Sequence, residues 1–430
     1  MSRRASAVLL LAIALACRSG DPTTAAGGWQ TVADTVGDTV VVRTVGARDE
    51  DAALRLVPEL RIGEFEGADE YQFASVGFVL PAPGGGVYAW DRTLTALRQY
   101  DSTGAFVRRL GGKGGGPGEY EAANGIVRLR DGRLVLWDPR NTRMNVYDST
   151  GAAAGGWRFP SGLHTGGYGG LLADTADNLY AMNWFRAADT TRQVLPGERS
   201  GYLVLGPDGT VRDSVLPPRL DVPDASLVAS VDGATAVYSV PFAPQRSWTV
   251  SPLGYVVSGV GDRYAVTLHR PGAPLRIERD VAAVAVDPDE KTNAEELVTF
   301  NLRQTVPSWR WNGPATPDAK PRFRAIRVGA DGRIWVQRSQ PGERVEPDTT
   351  NAPGDPRERI PPRRWREPTA YDVFDADGRY LGFLRLPERT ELMHMRGDHA
   401  WGVQTDSLDV PFVARWRIEP SLASRAAGRE

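Results

Sequence analysis

Cysteine is almost missing from this 430-residue chain. Cys17 is the only one, so no intramolecular disulfide can form and stability must come from a packed core. Lysine is nearly as scarce. Lys113, Lys291 and Lys320 are the only lysines among 51 basic residues, which leaves little room for Schiff-base chemistry. The other basic residues are arginine, a bias that fits a GC-rich coding sequence and that favours bidentate contacts to carboxylates and phosphates. The formal net charge is only -2, so no basic field asks for nucleic acid. The four histidines, His164, His269, His394 and His399, show no metal-ligand spacing. There is no Gly-x-Ser-x-Gly and no His-Glu-x-x-His motif, and hence no ready nucleophile or zinc-hydrolase signature. No cofactor-binding motif is visible either. The Gly-rich run 111–118 is not a P-loop, because Gly rather than Ser or Thr follows Lys113.

What is present suits a globular β-protein. The chain is 41% hydrophobic and 24% charged, which excludes disorder. It carries 47 Gly and 32 Pro, which implies many turns and few long helices. Two segments match without gaps. Val87-Tyr88-Ala89-Trp90-Asp91 aligns with Leu134-Val135-Leu136-Trp137-Asp138, and Tyr100-Asp101-Ser102-Thr103-Gly104 aligns with Tyr147-Asp148-Ser149-Thr150-Gly151. Both pairs are offset by 47 residues, a period that points to a propeller or solenoid.

Each unit reads as a four-stranded meander with Asp-Gly turns, where Gly accepts a positive φ. In the second unit the expected strands are 125–130, 133–137, 143–147 and 152–159. Weaker copies follow to residue 418, giving six hairpin pairs. With 184–200, 217–240, 281–320 and 339–368 set aside as insertions, residues 54–419 divide into six units of about 42 residues, within the roughly 40–50 of a blade. The expected fold is therefore all-β: a six-bladed β-propeller of four-stranded antiparallel blades, with one short helix in an insertion. That helix is expected to start at Asn293, with Glu296 as its capping acid. The last unit is one strand short, and 54–62 could complete it. Val40 to Val45 reads as an extra strand.

Over about 72–160 the chain resembles NHL-type six-bladed propellers. The run Leu110-Gly111-Gly112-Lys113-Gly114-Gly115-Gly116-Pro117-Gly118-Glu119-Tyr120 is similar to their Gly-rich, Pro-Gly-Glu-aromatic loop between blades. The Trp-Asp pairs also fit WD-type propellers, but the Gly-His step of that family is missing. Some propellers of the six-bladed class are lyases or lactonases with His or carboxylate ligands around a central channel. By that resemblance His394, on an innermost strand, could face such a channel.

Residues 1–16 read as a secretory signal: Arg3 and Arg4 precede a ten-residue apolar run, 7–16, too short for the roughly 20 residues that span a bilayer. Ala14-Leu15-Ala16-Cys17 resembles the lipobox of bacterial lipoproteins, which implies lipidation of Cys17. The expected organisation is then 1–16 signal, 17–53 tether and N-terminal strand region, 54–419 propeller and 420–430 tail. The expected place is the cell envelope, anchored to the membrane by an N-terminal lipid outside the cytoplasm, periplasmic or at the cell surface.

In this grammar, loops between strands four and one and between strands two and three open on one rim. The Gly-rich loop, 184–200 and 339–368 would crowd there, bringing Trp184, Phe185, Arg186, Arg192, Arg338, Arg344, Arg363, Arg364, Trp365 and Arg366, with Lys113, Glu119 and Tyr120 beside them. Arg and Trp together suit an anionic peptide or glycan. The expected function is a binding scaffold for an envelope protein, peptide or glycan. The alternative is a propeller lyase, lactonase or hydrolase with a metal in the central channel. For the anchor, Cys17→Ser should abolish incorporation of labelled fatty acid and release the protein from membranes. Continued labelling would show that the lipid sits elsewhere.

Overall fold

The computed structural model describes residues 23–24, 28–158, 170–185, 200–346 and 360–426. The second repeat unit shows the building rule. Ile126–Arg128, Leu134–Asp138, Arg143–Tyr147 and Ala153–Arg158 pair in that order as an antiparallel sheet. Every residue of Leu134–Asp138 is buried, because this strand is covered on both faces. Ala153–Arg158 is exposed at all but one position and forms the outer edge. The preceding unit repeats the order with Val76–Pro81, Val87–Asp91, Ala96–Tyr100 and Phe106–Leu110.

The later units keep the topology with less regular sequence. One runs Leu171–Ala173, Leu179–Trp184, Ser200–Leu205, Val211–Val215, and the next Arg246–Val250, Val256–Val260, Ala265–His269, Leu275–Arg279. Phe323–Val328, Ile334–Arg338, Ala370–Phe374 and Tyr380–Arg385 follow. The last unit has three C-terminal strands, Thr390–Arg396, His399–Thr405 and Pro411–Glu419. Its fourth is Ala53–Ile62, antiparallel to Pro411–Glu419 with Val413 opposite Ile62. Chain start and chain end therefore share one sheet.

These sheets form a closed β-propeller. A buried apolar cluster fills each gap between successive sheets, as with Tyr88, Leu97, Tyr120 and Leu136 between the first two. The last gap closes the ring: Leu60, Trp401 and Val413 pack against Val76, Val87 and Tyr100. The first strand of every sheet lines one central cavity of about 390 Å³. Closure covers the end faces of the row of sheets by packing the last described sheet on the first, removing the usual hazard of β-structure.

Two aspartate devices explain why the repeat is legible. Asp101 accepts from Thr103 N, Thr103 Oγ1 and Ala105 N at 2.7–3.0 Å, and Asp148 does the same with Thr150 and Ala152 at 2.6–3.0 Å. Those bonds hold both carboxyls below their usual range. The second device is buried. Asp138, fully enclosed at the end of its strand, accepts from Glu121 N, Arg140 N, Asn141 N and Asn141 Nδ2 at 2.7–3.2 Å. Asp91 likewise accepts from Ala74 N, Ser75 N and Leu94 N. Each carboxylate fastens the loop that enters its own sheet to the turn between strands two and three.

Additions decorate this ring. The hairpin Gln30–Val36 and Thr39–Val45 lies along the outer edge of the 246–279 sheet, with Val42 parallel to Ile277. The helix differs from expectation. It is Pro288–Thr305, 18 residues long, and starts one turn and more before Asn293. Asp287 caps it by accepting from Asp289 N at 2.8 Å, with Pro288 at the first helical position, a stronger start signal than Asn293 provides. A second, five-residue helix, Leu422–Ala426, follows the last strand. The long helix packs on the hairpin Ser226–Val231 and Ala234–Ser239, so two insertions share a small core of Leu227, Leu302 and Trp309.

Asp138→Ala removes the partner of four donors and should cost roughly 2–4 kcal/mol in urea unfolding. Asp91→Ala should cost a similar amount, whereas a change within 0.5 kcal/mol at both would show the carboxylates to be dispensable.

Candidate functional site

The insertions 217–240, 281–320 and 339–368 all leave the ring at the end where first strands begin. They are bound to one another there. Asn293 donates to Pro362 O at 2.9 Å and accepts from Arg364 N at 2.9 Å. Arg364 pairs with Glu296 at 2.7 Å, and Arg344 pairs with Asp289. Asn293, expected as a helix cap, is instead 2% exposed and clamps the 339–368 arm to the helix. That arm carries a short ladder, Glu343–Arg344 with Trp365–Arg366.

Between helix, arm and ring lies a cleft of about 610 Å³. Its floor is a buried ion cluster. Lys320 Nζ, its side chain fully enclosed, donates to Glu290 Oε1 at 2.6 Å, Gln340 O at 3.0 Å and Glu367 Oε2 at 3.1 Å. Arg324 reaches Glu367 at 3.3 Å from outside. Two cations and two carboxylates thus balance, the condition under which buried charge is tolerated. In the lining of this cleft two buried polar atoms have no partner among the described residues: Glu290 Oε2 and Ser339 Oγ, on residues 5% and 2% exposed. Phe242, Trp365 and Arg363 complete the walls.

The residues singled out in the sequence are dispersed. Tyr120 is fully buried, donates to Leu110 O at 2.7 Å, accepts from Leu97 N at 3.1 Å and stands edge-on to Trp90. Burial pushes its hydroxyl pKa upward, so it remains a donor. Glu119 accepts from Gly116 N at 2.7 Å and closes the Gly-rich loop on itself. Lys113 is exposed on that loop. Arg338 pairs with Asp49 at 2.7 Å and lies 3.6 Å from Asp372. Asp372 is enclosed between two sheets, where Tyr264, Tyr380 and Arg279 donate to it at 2.7, 3.1 and 2.6 Å. Arg338 therefore serves a joint between sheets, whereas Trp365 lines the cleft and sits under Arg344 at 5.3 Å. Cys17, Arg186, Arg192 and His164, and the side chain of Trp184, lie outside the described residues.

His394 lines the central cavity, edge-on to Trp401 at 5.6 Å. The cavity wall is mostly apolar. Its ionisable side chains among the described residues are His394, Arg128 and Arg327. Pro252, Gly329 and Ala330, which follow the ends of first strands, contribute to it, so the cavity lies toward the face opposite the insertions. Burial, with Arg396 beside it, lowers the His394 pKa to about 4. His269 bonds Ser258 at 2.8 Å and His399 lies 3.3 Å from Glu59.

The cleft itself was not singled out in the sequence. Glu290, Lys320 and Glu367 are separated by 30 and 47 residues. The available signal was Lys320, one of three lysines kept in a chain that otherwise uses arginine.

No protein-family model and no curated protein matches the chain. Among solved structures it is similar to a member of the duf4221 family from Bacteroides vulgatus, with TM-score 0.48, 11% identity and coverage of 85% of this chain and 98% of that one. It is similar to a candidate exported protein from Bacteroides fragilis, with TM-score 0.47, 11% identity and coverage of 88% and 99%. It is also similar to virginiamycin B lyase from Staphylococcus aureus, with TM-score 0.38, 9% identity and coverage of 80% and 94%.

The His394 shift sets an acid dependence. A neutral native imidazole, with pKa about 4 against an ordinary 6.5, binds fewer protons than the unfolded one between those values. Stability should therefore fall as pH drops through 6.5 toward 4, by up to about 1.4 kcal/mol per pH unit. His394→Gln should flatten that slope in denaturant titrations, and an unchanged slope would remove the histidine from the account.

Proposed function

We propose that this protein is a lipid-anchored, extracytoplasmic six-bladed propeller that acts as a binding scaffold, with its ligand held on the insertion-bearing rim. The ligand would be an envelope protein, peptide or glycan. The observation that carries this reading is the convergence of three insertions into one built cleft with unpartnered buried polar atoms. Long loops on a rigid ring are the usual place for binding. The alternative is a propeller lyase, lactonase or hydrolase with a metal in the central channel, where the ionisable groups among the described residues are one imidazole and two guanidiniums.

The anchor rests on the signal-like 1–16 and on Cys17, and the blade count on the sheet order together with the 47-residue repeat. NHL-type ancestry rests on the Gly-rich loop and its Pro117-Gly118-Glu119-Tyr120 ending.

A photo-crosslinking residue placed at Arg363 on the rim, or at Arg128 in the central cavity, separates the two readings. In membranes from cells making the full-length protein, the Arg363 variant should give a discrete adduct and the Arg128 variant none. Adducts from Arg128 alone would move function to the channel.

A further inference from the structure

The central cavity is apolar in its wall and one-sided in its charge. Leu80, Leu172, Val328 and Met393 line it and stay half-exposed, although they sit on the strands nearest the axis. Together they offer a surface that an apolar body would cover favourably. The ionisable side chains in the lining are Arg128, Arg327 and His394, with no carboxylate among the described lining residues. An apolar wall with only cationic or imidazole groups beside it selects for the sign of a ligand as well as for its polarity.

Arg128 supplies an independent observation. It ends the strand Ile126–Arg128 and is exposed. Its guanidinium makes no hydrogen bond or ion pair among the described residues. The other two groups of the lining are committed. Arg327 donates to Leu392 O and to Met393 O, the latter at 3.2 Å. Burial keeps His394 neutral, and Arg396, Arg327 and Arg128 act in the same direction. Asp331, the carboxylate whose field reaches that imidazole, pairs with Arg333 and accepts from Gly397 N at 2.7 Å. Arg128 is thus a free fork of donors beside an apolar cavity, the geometry that takes a carboxylate bidentately. An ammonium ligand is opposed by Arg128, Arg327 and Arg396 together. A neutral ligand leaves the Arg128 charge unanswered.

We infer that the central cavity binds a small apolar monocarboxylate, with its carboxylate on Arg128 and its body among Leu80, Leu172, Val328 and Met393. At about 390 Å³ the cavity lies near the lower end of the ~300–1,000 Å³ of ligand pockets, which suits a body of about ten carbons. The site is on the face opposite the insertions, so it goes beyond the rim reading and stands without it.

The test is isothermal titration calorimetry on the full-length protein with 2-naphthoate and octanoate, which separate a rigid aryl body from a flexible acyl one. Octanamide and octylammonium serve as the neutral and cationic comparisons. At least one carboxylate should bind. Arg128→Gln should weaken it about tenfold or more, and Arg128→Lys should fall in between. Arg128 is exposed, so the thermal midpoint of both variants should hold, which separates lost binding from lost folding. Arg140→Gln, at an exposed arginine outside the cavity, should leave the affinity unchanged. No binding by either carboxylate, octanamide or octylammonium binding as tightly as octanoate, or affinity unchanged in Arg128→Gln would overturn the inference. Equal weakening in Arg140→Gln would overturn it too, by showing a general attraction for anions. The crosslinking variant at Arg128 lacks the guanidinium and reports on macromolecules alone, so the cavity and the rim readings can each fail while the other stands.

Discussion

Everything in this molecule depends on one edge pairing, Ala53–Ile62 against Pro411–Glu419. A row of twisted sheets has two open ends, and each end exposes an apolar face and a strand edge. Pairing the start of the ring with its finish removes both at once. Leu60 and Ile62 from the early strand, Trp401 and Val413 from the late ones, and Val76 and Tyr100 from the first complete sheet then share one core. With no disulfide available to the chain, this is the staple.

A fixed ring allows the insertions to carry buried charge. The Glu290–Lys320–Glu367 cluster would be costly in a marginal fold, because taking charges out of water is repaid only by good geometry. Here helix Pro288–Thr305 supplies Glu290, the segment entering the 323–385 sheet supplies Lys320, and the arm from the same sheet supplies Glu367. Three separate stretches are thus tied by one ammonium at 2.6 and 3.1 Å. The site and its support are the same set of contacts.

How far the sequence could be read follows from where local rules decide structure. The units over 72–160 were legible because Asp101, Asp148, Asp91 and Asp138 bond to backbone groups within their own repeat, so each leaves a local trace. Beyond residue 160 the turn aspartates recur, with Asp208 accepting from Thr210 and Asp375 from Asp377 N and Arg379 N, but the buried position at the end of the second strand changes. The place of Asp138 is taken by Arg338 in the 323–385 sheet, opposite Ala370 as Asp138 is opposite Arg143, and its partner Asp49 is remote in sequence. The helix start was misplaced because Asn293 has good capping chemistry that is spent on Pro362 and Arg364 instead. The cleft was illegible because it depends on groups that only folding brings together. Tyr120, in contrast, belongs to a recognisable motif whose task is to lock two sheets.

The hairpin at Gln30–Val45 has a consequence for orientation. Trp29 is buried against Tyr380 and beneath Arg425, and the hairpin that follows it pairs with the outer strand Leu275–Arg279, so the first described residues are fastened to the circumference of the ring. Thr23 and Thr24 pair with Thr31 and Gln30, and only five residues separate Thr23 from Cys17, a reach of at most about 20 Å. If Cys17 carries the lipid proposed above, the ring would hang by its side on a short leash. Its axis would be free to lie parallel to the bilayer, and the decorated face would be turned sideways, toward whatever diffuses along the membrane.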